Sequence, residues 1–197
     1  MPVSAYAIVT LEDAKDYLNI TSSADDLAIE RLVNAASVFC DKETGRDLFS
    51  RTYTDQVYSG TGSALLRLRQ FPVTSVTEVN FLTGGPPDVW TAQSLVTYPV
   101  TILPETGSDT IMFRNLSFPK GAANVQVTYV AGYTAATMPD GIKEACLQAI
   151  AYLWKKKDTL RAGIASQSFQ GQTTSYILDL KKAVDMSLLD PYVRYAF

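Results

Sequence analysis

Two stretches of helical periodicity, about residues 24–44 and 140–157, flank a long segment that reads as β, and no other feature constrains the fold as tightly. In the first stretch Ile29, Leu32, Val33, Ala36, Phe39 and Cys40 form one apolar stripe, while Glu30, Asn34, Ser37 and Asp41 occupy the opposite face. In the second, Ile142, Ala145, Cys146, Ala149, Ile150 and Leu153 form another. Each stripe has to leave water, and packing one on the other satisfies both. The β segment then becomes an insertion between core helices. The expected class is α+β: a helical body of residues 1–50 and 132–197, and a β-rich insertion over about 51–131, together one structural unit.

Local signals set the expected boundaries. Thr10 can cap a helix over residues 11–18, whose first turn carries Glu12 and Asp13 where the helix dipole favours negative charge. Ser22, Ser23, Asp25 and Asp26 repeat that start signal, and Gly45 suits a left-handed stop after Thr44. Strands are expected over 51–58, 65–69, 73–82, 94–103 and 110–114, with Gly60-Thr61-Gly62 as a hairpin turn and a stop at Gly84-Gly85-Pro86-Pro87. Val125-Gln126-Val127-Thr128-Tyr129 alternates strictly, so one of its faces is buried. Pro139 opens the second long helix, and Lys155–Lys157 suit its C-terminus. Residues 159–174 are small, polar and aperiodic, which predicts a mobile loop. A short helix within 177–189 completes the chain.

The chemistry is bounded by an absence: the 197 residues include no histidine. That removes Ser-His-Asp and Cys-His catalysis, His-ligated zinc and the usual base of neutral pH. Cys40 and Cys146 are too few for a four-thiolate zinc site and read as buried small hydrophobes. The densest carboxylate group, Asp13, Asp16, Asp25, Asp26 and Glu30, has the residue types for acid–base work or magnesium, but helix-start charge already explains its positions. Ser59–Ser63 lacks both the spacing and the following helix of a phosphate loop. Catalytic, metal and cofactor sites are therefore all expected to be absent. Residues 1–50 hold 4 basic and 9 acidic side chains and the whole chain is −3, no profile for gripping nucleic acid. The N-terminus has no signal-peptide pattern and no run reaches the roughly 18 apolar residues of a membrane span, so cytoplasmic synthesis is expected.

The last ten residues are unusual. Leu188, Leu189, Tyr192, Val193, Tyr195 and Phe197 gather large apolar groups at a chain end, where frayed polar sequence is the norm. They either fold back on the chain's own core or anchor in a partner's pocket.

Four blocks in order resemble the head-to-tail connector (adaptor) family of tailed bacteriophages. They are Val9-Thr10-Leu11-Glu12-Asp13-Ala14-Lys15 with Tyr17-Leu18 and Asp25-Asp26 through Thr44-Gly45-Arg46; Phe71-Pro72-Val73 with Ser75-Val76 and Val79; Tyr129-Val130-Ala131-Gly132-Tyr133 with Pro139, Ile142, Ala145 and Trp154; and Leu188-Leu189-Asp190-Pro191-Tyr192 with Arg194. Residues 83–123 match none of it. The resemblance implies a non-enzymatic dodecameric ring in the virion neck, joining the portal protein above to the next neck or tail protein below. Double-stranded DNA would pass through its lumen without sequence-specific binding, and no membrane is involved. It also implies that the C-terminal tail docks on the portal, through Leu188, Leu189, Pro191, Tyr192 and Arg194; Tyr195 and Phe197 join them on apolar character. Deleting 188–197 is then expected to leave the body folded. A lower-neck or tail-completion protein is the nearest alternative, and a carboxylate-based or metal-dependent enzyme the alternative of another class.

Overall fold

The computed structural model describes residues 2–104, 108–158, 166–169, 172–175 and 179–193. The fold is α+β, and it divides into two compact units, Met1–Leu48 with Ala135–Phe197, and Phe49–Thr134.

The first unit is helical. Helix α1 (Leu11–Leu18) begins with a reciprocal capping box: Thr10 Oγ1 accepts from the Asp13 backbone N–H, and the Asp13 carboxylate accepts from the Thr10 N–H at 3.0 Å. It ends on Asn19 in the left-handed region. Helix α2 (Asp26–Thr44) starts two residues later than the sequence suggested and stops at Gly45, φ 68°, as expected. Helix α3 (Asp140–Asp158) follows Pro139, whose carbonyl accepts the first helical bonds from Ile142 and Lys143. The two apolar stripes pack on each other: Ile29, Val33, Ala36 and Cys40 from α2 and Ile142, Ala145, Cys146, Ala149 and Ile150 from α3 are all fully buried. The final helix is shorter than expected. Helix α4 (Leu180–Ala183) is four residues long, and single 3-10 turns at Met186–Leu188 and Asp190–Tyr192 follow it.

One expectation about α2 is overturned. Ser37, placed on the face opposite the apolar stripe, is 5% exposed. Its hydroxyl donates to the Val33 carbonyl at 2.8 Å and accepts from the Ile8 N–H at 3.1 Å. Asn34, on the same face, accepts from the Ser4 N–H and donates to the Pro2 carbonyl. The N-terminal strap 2–9 lies along this polar side and uses its side chains as backbone partners, so polarity here marks a covered face.

The second unit is built of strands β1 (Arg51–Gly60), β2 (Leu65–Arg67), β3 (Val73–Gly84), β4 (Val89–Ala92), β5 (Val100–Leu103), β6 (Thr110–Phe113) and β7 (Gly121–Ala131). One antiparallel sheet runs β1-β7-β3-β4 and another β2-β6-β5. The sheets share one core, in which Leu66, Ile111 and Phe113 of the smaller meet Val79, Phe81, Val125, Val127 and Tyr129 of the larger. β7 shows the expected alternation, with Val125, Val127, Tyr129 and Ala131 buried. The Gly60-Thr61-Gly62 turn is not a hairpin, because β1 pairs with β7 and β2 with β6. It is a crossover that carries the chain from one sheet to the other. Two strand features went unread: β4, paired on the edge of β3, and the pair β8 (Ser166–Phe169) and β9 (Gln172–Ser175), which falls within the expected loop. The rest of 159–174 lies outside the described residues.

Two buried features hold the β unit in register. The Tyr58 and Tyr129 hydroxyls share a hydrogen bond of 2.9 Å, Tyr53 stacks on the Tyr129 ring, and the Arg69 guanidinium lies 4.9 Å from the Tyr58 ring centre. At the end of β7, Gly132 sits at φ 108°, where a Cβ would approach the Phe49 carbonyl to 2.8 Å. Only glycine fits both demands.

Gly132→Ala is therefore expected to destabilise the β unit by about 2 kcal/mol, read as a lower urea midpoint; an unchanged midpoint would mean the close approach relaxes freely. Burial and the Tyr58 hydrogen bond raise the Tyr129 pKa above the ordinary tyrosine value. The folded state thus holds this proton more tightly than the unfolded chain. Its stabilisation is complete below about pH 10 and is lost as pH rises beyond that. Thermal melts between pH 8 and 11 should show a steeper fall for the parent than for Tyr129→Phe.

Candidate functional site

The C-terminal segment is attached to the helical unit by a sequence of polar contacts. Asp185 caps the first 3-10 turn through the Ser187 N–H at 3.1 Å, and its own N–H donates to Gln148 Oε1 at 2.9 Å. Gln148 donates in turn to Glu144 Oε1 at 3.1 Å, which also accepts from the Tyr17 hydroxyl at 3.1 Å. Burial and this carboxylate raise the Tyr17 pKa, so the phenol stays a donor. Lys181 Nζ reaches Glu43 Oε2 at 2.6 Å and ties α4 to α2. Between these polar ties Val184 and Leu189 insert into the helical core at 4% and 0% exposure.

The expected tail residues separate into three groups. Leu189 is spent on the chain's own core. Leu188 and Tyr192 are half-buried, and Pro191 is exposed. A Cβ at Gly141 would lie 3.3 Å from the Leu188 carbonyl and 3.9 Å from the Tyr192 ring, so this segment rests on the first turn of α3. Arg194, Tyr195 and Phe197 lie outside the described residues. Through Tyr192 the tail folds back on the body, the first of the two alternatives, while Pro191 with part of Leu188 and Tyr192 remains accessible. Deleting 188–197 would remove a fully buried leucine, so that cut does not spare the body.

Two of the remaining candidate carboxylates have structural roles. Asp13 completes the α1 capping box, and Asp26 pairs with Lys15 at 2.7 Å, joining α1 to α2. Among the described residues no group of three His, Cys, Asp or Glu side chains is placed to hold a metal ion. The Ser59–Ser63 turn uses its polar groups within itself and on β7: Thr61 and Ser63 hydroxyls bond each other at 2.8 Å, and the Gly60 N–H donates to Asn124. Lys155 and Lys156 are exposed, with Tyr152 and Trp154 half-buried beside them. Cys40 and Cys146 are buried free thiols, and the neighbouring Cys146 side chain together with burial raises the Cys40 pKa, keeping it protonated. No helix among the described residues is long and apolar enough to cross a membrane.

What sequence reasoning missed is the true outward face of α2. Leu27, Arg31, Ala35, Val38 and Lys42 are exposed, at spacings of four, four, three and four, and Leu27 and Val38 reach 65% and 66% exposure. The signal was present, since these positions make a continuous helical row, but the polar residues Glu30, Asn34, Ser37 and Asp41 marked a different face as the one opposite the stripe.

This architecture is shared with proteins of phage-like particle necks. A chain in the neck of the empty gene transfer agent (GTA) particle, computed with C6 symmetry, superposes with a TM-score of 0.65 at 16% identity, covering 100% of this chain and 96% of that one. A chain from the virion of the native particle and one from its neck computed with C12 symmetry both superpose at 0.59, again at 16% identity, over 100% of this chain and 94% and 96% of theirs. No individually curated protein matches the sequence. The model of the head completion protein family matches residues 7–187, and the chain belongs to that family. It is a structural head–tail adaptor or neck protein, the class its sequence resembles.

Leu189→Ala should lower the stability of the helical unit by about 2–4 kcal/mol, whereas Pro191→Ala should stay within roughly 0.5 kcal/mol. Urea titrations of the two variants separate the buried base of the tail from its accessible side; equal effects would contradict this division.

Proposed function

We propose that this chain is a connector subunit that forms a dodecameric ring in the virion neck, seats on the portal protein, and offers its other face to the next neck or tail protein. The family match over residues 7–187 carries the reading. The superposed proteins are described as neck and virion components, one with C12 symmetry, which suits a ring. The function is binding and not catalysis: energy comes from burying apolar tail and body surface. DNA passes through the lumen, and a net charge of −3, with the N-terminal fifty residues at −5, favours sliding over adhesion.

In this reading the portal anchor is the C-terminal tail. Leu189 positions the segment from inside the core. Leu188, Pro191 and Tyr192 supply its accessible apolar side, and Arg194, Tyr195 and Phe197 extend it. Tyrosine and arginine are the residue types that most often dominate such interfaces.

The test is capture by the portal protein of the same genome, comparing the full chain with one ending at Val193 and with Tyr192→Ala. The cut spares Leu189, so the body stays folded. The expected outcome is capture of the full chain and at least a tenfold loss for the shortened one, with a smaller loss for Tyr192→Ala. Undiminished binding by both variants would move the anchor to the helical body. A folded full chain that the portal does not capture would remove the connector assignment itself.

A further inference from the structure

The exposed row on α2 has the wrong chemistry for a permanent solvent face. Leu27, Ala35 and Val38 lie on it with Arg31 and Lys42 between and beyond them, while Asn34 and Ser37 of the same helix hydrogen-bond the N-terminal strap. Neither Arg31 nor Lys42 has an ion-pair partner among the described residues. Helix α1 of the same unit presents the opposite charge: Glu12 and Asp16 are exposed beside Tyr17, itself 40% exposed, and neither carboxylate is paired among the described residues.

We infer that the Leu27–Lys42 row of α2 is the docking surface for a second copy of this chain, received by the acidic outer face of its α1. The two faces are different, so the contact is heterologous, the type that builds a ring when its repeated rotation closes. Its sign is complementary, with Arg31 and Lys42 meeting Glu12 and Asp16, and Leu27 and Val38 supply apolar area against Tyr17. This rests on the ring assignment made above and names the surfaces that would build it. The row is about 24 Å long and roughly 10 Å wide, well below the roughly 800 Å² per partner of a stable interface. Copies therefore associate weakly alone and close when a template holds many of them side by side.

The experiment mixes unlabelled and 15N-labelled full-length chain and treats it with a water-soluble carbodiimide, which joins a lysine amine to a carboxylate without a spacer. It is run with and without the portal of the same genome. The expected result is mixed-isotope peptides joining Lys42 to Glu12 or Asp16, stronger on the portal, and at least tenfold weaker in the L27D/V38D variant. Both positions are exposed, so that variant should melt like the parent. A second pair keeps the test decisive: E12K/D16K and R31E/K42E should each fail to associate alone and recover when mixed, because alternating copies restore opposite charges. Absence of these links in the parent on the portal, or an L27D/V38D variant that closes rings normally, overturns the interface and leaves the connector reading standing. Lys42 links that persist while portal capture fails do the reverse.

Discussion

The contact between α2 and α3 is the constraint on which the helical unit depends. Five apolar side chains of α3 and four of α2 are fully buried, and the residues that make this contact lie on opposite sides of an insertion of more than eighty residues. A non-local contact of this kind is entropically costly to form, and it is offset by apolar burial of about 25 cal/mol per Å². Everything else in the unit attaches to the pair. The N-terminal strap hydrogen-bonds along α2, α1 joins through Lys15–Asp26 and Tyr17–Glu144, and the C-terminal turns dock through Gln148 and Leu189.

As a proposed portal anchor, the tail is one short segment that would serve two requirements. A partner-binding peptide that is wholly free pays its full ordering entropy on binding. Here Asp185, Leu189 and the contact with Gly141 order the base of the tail beforehand. In the proposed connector this ordering is in place before the portal protein is met. The outward row of α2, in the role proposed for it, would follow the same pattern, being presented on a helix whose opposite face is already packed against α3.

Much of the fold was legible because several signals agreed at the same residues. Thr10 and Asp13 set the start of α1, Gly45 the end of α2, and the alternation of Val125, Val127 and Tyr129 set the buried face of β7. The failures share a cause: they depend on neighbours distant in sequence. Nothing local in Gly60-Thr61-Gly62 distinguishes a hairpin from a crossover, since the distinction lies in β6 and β7. That Ser37 is covered follows only once the strap at Ile8 is placed on it. The strands β8 and β9 carry no apolar alternation, so their pairing has no hydrophobic trace in Ser166–Ser175. At the tail, apolar character was plain in the sequence, but which residue faces the core is decided by the geometry of the 3-10 turns.

Because the helical unit is discontinuous, its two halves leave the ribosome at different times. At about 5–20 residues per second, roughly 5–20 s separate the emergence of α2 from the completion of α3. During that interval the β unit, contiguous from Phe49 to Thr134, can reach its native pairing, while the apolar stripe of α2 has no native partner to bury it. The order of synthesis thus makes the nascent N-terminal third the period of greatest aggregation risk, and the acidic excess of that third supplies a charge that keeps such chains apart until α3 arrives.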